Sequence, residues 1–97
     1  MTRALLFRPQ ARAELLEARA WYDAERPGLG TAFLTEIRSA VSLLRQMPHA
    51  FPVVHPPIRR LLLKRFPYAL YFFLDEEAVV VTALVHGRRD PEVWRSR

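Results

Sequence analysis

Apolar residues recur along this chain with two different periods, and the change of period divides it. In the first half they step as on a helix. Ala11, Leu15, Ala18 and Tyr22 fall four, three and four apart, so they share one helical face. Trp21 lies beside that stripe, and Arg12, Glu14, Glu17, Arg19, Asp23 and Glu25 fill much of the rest of the turn. Pro9 suits the first turn of this helix, where a missing N–H costs nothing. Pro27-Gly28-Leu29-Gly30 breaks the pattern. A second stripe follows, with Phe33, Ile37, Ala40, Leu44 and Met47 stepping by four, three, four and three, widened by Leu34 and Val41. Pro48 stops this helix after Met47.

The second half is strand-like. The stretch from Arg59 to Arg89 predicts three consecutive strands. The first carries Leu61 and Leu63, with Phe66 just beyond it. The second is the aromatic and branched run Tyr68–Leu74. The third is Val79–Val85, apolar on both alternating faces, as in a strand buried on two sides. Asp75-Glu76-Glu77 is short enough for a hairpin, and Pro67 fits a turn better than a strand interior. At the other end of the chain, Ala4–Phe7 predicts a short first strand between Arg3 and Arg8. The connector from His49 to Pro57 holds Pro52, Pro56 and Pro57. It predicts no regular structure, with Phe51, Val53 and Val54 docked on the sheet.

The predicted order is β-α-α-β-β-β in one α+β domain spanning residues 1–97, with room for a short C-terminal helix that Asp90 would cap and Pro91 would open. Two amphipathic helices joined by a tight turn form an antiparallel hairpin. Neither buries its stripe alone, so the expected architecture is a first strand and a helical hairpin packed on an antiparallel sheet.

Composition adds partners and location. The chain has 97 residues, 51% of them hydrophobic, a net charge of +5 and an isoelectric point near 10.7. That balance favours an anionic or acidic partner and says nothing about fold. With no cysteine, disulfides and thiolate metal sites are excluded. The apolar run near Met1 is too short for a signal-peptide core, and Ala78–Val85 is far short of a membrane span. A cytoplasmic protein without membrane attachment is expected.

Enzyme signatures are sparse. No Gly-rich phosphate loop or His-x-x-x-His occurs, and Ser39, Ser42 and Ser96 stand in no motif. His49, His55 and His86 are scattered, so no metal or other cofactor is expected. His86 ends a buried strand before Gly87, Arg88 and Arg89. It could act as an acid or base beside arginines that stabilise a phosphoryl group, or it could simply pack at a strand end. The cluster Arg59-Arg60, Lys64-Arg65 and Arg88-Arg89 could supply bidentate anion contacts or a solvated strand edge. Alternation prevents all six from converging. Tyr68, Tyr71, Phe72 and Phe73 fit core packing better than a base-stacking platform. Trp94, among arginines near the chain end, could anchor the tail to the sheet or join a partner interface.

These residues together resemble a known family. Ala11…Glu14-Leu15…Ala18…Trp21-Tyr22 is followed by Leu29-Gly30…Phe33-Leu34. Then come Arg60…Leu63…Arg65-Phe66-Pro67-Tyr68…Tyr71 and Val85-His86…Arg89-Asp90-Pro91…Trp94. The ordered set resembles the RelE/ParE superfamily of toxins from type II toxin–antitoxin pairs, and covers almost the whole chain. The resemblance implies the helical hairpin on an antiparallel sheet. It also implies a cognate antitoxin that binds DNA, folds along the toxin and represses the operon. ParE-type members poison DNA gyrase by binding, whereas RelE-type members are ribosome-dependent mRNA endoribonucleases. No tyrosine follows Tyr71, so the C-terminal catalytic tyrosine of many RelE-type enzymes has no counterpart here. The ParE branch is the closer likeness, with no catalytic residue assigned and Arg60, Arg65, His86, Arg88, Arg89 and Trp94 as the expected target- or antitoxin-binding surface. Two alternatives stand beside it. One is a ribonuclease using His86, Arg65 and Arg88. The other is an inactive module that only binds antitoxin.

Overall fold

Strand β1 (Ala4–Phe7) leads into helix α1 (Pro9–Glu25) and helix α2 (Leu29–Gln46). A 3-10 turn at Pro48–Ala50 follows, then β2 (Val53–His55), β3 (Ile58–Leu62), β4 (Tyr68–Leu74), β5 (Ala78–His86) and the short helix α3 (Glu92–Arg95). This computed structural model describes residues 3–87 and 92–95. The α+β class and the helical hairpin on a sheet are as the sequence predicts.

Two details correct the expectation. The sheet has five strands in the order β1-β5-β4-β3-β2, and β1 lies parallel to β5 while the other pairs are antiparallel. A parallel neighbour needs a long crossover, and everything between Arg8 and Glu77 supplies it. The connector is also not irregular throughout. Its prolines flank Val53–His55 rather than interrupt it, and a strand at the sheet edge needs ladder donors on one side only. The Arg59 guanidinium fixes the connector by donating to the Phe51 carbonyl at 2.7 Å, and the Arg60 N–H donates to the Pro52 carbonyl at 3.1 Å.

Apolar residues line both faces of the sheet. On one face the helices meet Leu61, Leu70, Phe72, Val79, Val81 and Leu84, which pack with Ala11, Ala18, Tyr22, Phe33, Ile37, Ala40 and Leu44. On the other, Ile58, Ala69, Tyr71, Ala83 and Val85 gather round Trp94. That double-sided burial is why β5 reads as an uninterrupted apolar run. Between Tyr71 and Phe72 the register shifts, and buried Thr82 donates its hydroxyl to the Tyr71 carbonyl at 3.3 Å. Met47, at the end of the α2 stripe, is the exception. It sits at the C-cap and is exposed, because its backbone has already left the helix.

Two glycines let the helices turn closely. Gly28 takes φ +88°, a left-handed conformation that other residues adopt at a cost. A Cβ on Gly30 would lie 2.6 Å from the Arg19 carbonyl oxygen and 2.5 Å from the Asp23 carboxyl carbon. The Gly30 N–H donates to Asp23 Oδ1 at 2.8 Å, so α1 supplies a carboxylate to the N-terminus of α2.

Candidate functional site

The turn between β3 and β4 is built by sorting its own motif. Phe66 turns inward and meets Tyr22 and Phe33 edge-on, with ring centroids 4.9 and 5.1 Å away. Tyr68 joins the same cluster, 5.5 Å from Phe33. Lys64 and Arg65 are left outside, exposed. Their backbone N–H groups donate to the Glu36 carboxylate of α2, at 2.6 Å from Lys64 and 3.1 Å from Arg65. Glu36 thus spends its acceptors on the main chain, and the turn presents its side-chain cations to solvent.

His86 sits at the same end of the sheet. It pairs opposite Tyr68 in the β4–β5 register, with ring centroids 5.5 Å apart, and the Gly87 N–H donates to the Pro67 carbonyl at 2.7 Å. Beside it opens a cleft of about 820 Å³ between α1 and the end of β5. Glu14, Glu17, Trp21, Tyr22, Tyr68 and His86 are among its walls. Glu14 is not idle there: its carboxylate accepts the Leu84 N–H at 3.0 Å, at a part of β5 that extends beyond its ladder with β1. Burial, and secondarily the Tyr68 phenol, push the Tyr22 hydroxyl above its ordinary pKa.

Arg60 and Trp94 belong to the opposite face. Arg60 stands opposite Tyr71 across the β3–β4 ladder, and the Trp94 ring stacks on Tyr71 at 4.3 Å and 11°. His55 meets the same indole edge-on at 6.4 Å, and the Arg95 guanidinium lies 5.6 Å from its centre. Trp94 is therefore a buried anchor of the tail. Among the described residues Arg60 Nε is buried without a hydrogen-bond partner, an unpaired donor of the kind that carries a desolvation cost.

The expected binding surface therefore divides. Arg65 and His86 share one end of the sheet, Arg60 and Trp94 share the face away from the helices, and Arg88 and Arg89 lie outside the described residues. Sequence reasoning gave no role to Glu14, Glu17 or Glu36. Glu14, Glu17 and Trp21 were visible as a helical spacing of three and four on the polar side of α1, which marks a shared face without saying what it meets. Among the described residues no cluster of three His, Cys, Asp or Glu side chains could hold a metal ion.

Residues 5–91 match the family model of the ParE toxin of the type II toxin–antitoxin system parDE. The chain belongs to the ParE toxin family. No curated protein matches it. Among solved structures, the chromosomal ParDE toxin–antitoxin system of P. aeruginosa has a chain of the same fold, with a TM-score of 0.77 at 20% identity, covering 88% of this chain and 96% of that one. A ParE-family toxin is a type II toxin. No helix among the described residues is long and apolar enough to cross a membrane.

Proposed function

We propose that this toxin inhibits DNA gyrase by binding it and that a cognate antitoxin neutralises it, the toxin itself carrying out no side-chain catalysis. Family membership over residues 5–91 supports the gyrase target. The geometry round His86 supports binding over RNA cleavage. Its cleft is walled by Glu14 and Glu17, and among the described residues no lysine or arginine lines it. Two carboxylates repel a phosphodiester where a ribonuclease needs cationic stabilisation. Arg60, Arg65, His86, Arg88, Arg89 and Trp94 remain the proposed target- and antitoxin-binding residues. Trp94 acts from within, by fixing the tail, and the exposed Arg65 acts by direct contact.

The ribonuclease alternative keeps one observation, the placement of His86 in a cleft with two tyrosines. Purified toxin added to translating ribosomes separates the two. Intact mRNA, from a preparation that traps cleaved DNA on gyrase, supports inhibition by binding. Codon-phased mRNA cleavage that His86→Ala abolishes would favour the ribonuclease. A wild-type protein that binds antitoxin but arrests nothing would point to the inactive binding module.

A further inference from the structure

The cleft beside His86 has two walls of different chemistry. On α1, Glu14, Glu17 and Trp21 stand three and four residues apart, so one helical face brings two carboxylates and an indole to the same cleft. The facing wall comes from the start of β4 and the end of β5, with Tyr68 and His86 as its rings. Glu14 ties the walls together. Its carboxylate accepts the Leu84 N–H at 3.0 Å, which fixes α1 against β5. Ala18, small and buried, leaves room between the walls, and the cleft encloses about 820 Å³.

Rings follow one another round this space. Trp21 meets Tyr22 edge-on with centroids 5.1 Å apart, Tyr22 meets Tyr68 at 6.2 Å, and Tyr68 meets His86 at 5.5 Å. Trp21 is nonetheless 57% exposed. Glu17 stands one helical turn before it and is exposed too. An indole and a carboxylate at the mouth of one cleft combine a negative π face with a full negative charge. That pairing repels phosphate and carboxylate groups and attracts cations. Among the described residues no three His, Asp or Glu side chains gather to hold a metal ion, so the cation that suits this cleft is an organic one. A guanidinium fits both features, since it pairs with a carboxylate in its plane and stacks on a ring through its face.

We infer that this cleft is a binding site for an arginine side chain presented by a protein partner, with Glu17 pairing the guanidinium and Trp21 stacking on it. Glu14 acts on the site from behind, by holding the two walls at their spacing. The chain as a whole carries +5 and repels a basic partner, so the cleft marks a local place where such a side chain is favoured. A single cationic anchor in an aromatic cleft adds specificity to a protein interface whose remaining contacts are made elsewhere. The inference does not depend on gyrase being the target.

The test is an NMR titration of the purified toxin with N-acetyl-arginine amide, read at the two tryptophan indole N–H signals. N-acetyl-citrulline amide, the neutral counterpart of the same shape, is the control. We expect the Trp21 signal to shift in a saturable way with the arginine probe, while Trp94, buried on the opposite face, stays still. Citrulline should bind about fivefold more weakly or worse. Glu17→Gln, at an exposed position, should weaken the arginine probe by about threefold to fivefold with an unchanged melting temperature, and Trp21→Leu by a similar factor. Equal shifts with arginine and citrulline, full binding by Glu17→Gln, or no saturable shift at Trp21 overturns the inference. Binding that appears only when Arg88 and Arg89 are both replaced by alanine makes the chain's own tail the occupant, and overturns it as well.

Discussion

At the scale of single residues, close approach and burial fix what can be changed. Gly30 lets α2 touch α1, and any Cβ there meets a backbone oxygen that cannot step aside. Gly30→Ala gains helix propensity but forces the helices apart, so we expect a net loss of about 1–3 kcal/mol in denaturant unfolding. Tyr22 supplies a pH signature. Its hydroxyl is held above the ordinary value of 10.0, so the folded state binds that proton more tightly than the unfolded state does. The corresponding stability is fully present below pH 10.0, and is lost as pH rises above it through the folded value. Alkaline melts should show this decline, and Tyr22→Phe should flatten it.

At the scale of elements, the helices and the last three strands were legible because each has one clear period and a clean stop at glycine or proline. The stripe of Ala11, Ala18 and Tyr22 is buried as its spacing predicts, as are Phe33, Ile37, Ala40 and Leu44. What the sequence hid depends on neighbours distant in the chain. Nothing in Ala4–Phe7 tells whether its partner runs parallel, because that is decided by where β5 ends up. Strand β2 was masked by prolines that only edge geometry makes harmless. The same limit applies to the site. His86, Arg65 and Trp94 could be proposed because they end or follow strands, whereas Glu14 stood among the polar residues of α1 and nothing in the spacing marked Glu36. Their work is to hold backbone of other elements. Glu36→Ala should leave Phe66 docked among its aromatic neighbours yet free the amides of Lys64 and Arg65. We expect faster hydrogen exchange at those two amides and a cost of about 1 kcal/mol, with Glu36→Gln in between.

At the scale of the whole molecule, charge divides the surface. A basic turn at Lys64 and Arg65 and an acid-walled cleft beside His86 lie at one end of the sheet. Membership of the ParE family makes this chain a type II toxin, and gyrase is the target we propose. Incubating supercoiled plasmid, purified gyrase and ATP with the toxin tests that target most directly. We expect cleaved DNA covalently linked to gyrase to accumulate with toxin dose and to disappear when antitoxin is added first. Toxin that arrests cells yet leaves gyrase cleavage at its background level would contradict the account.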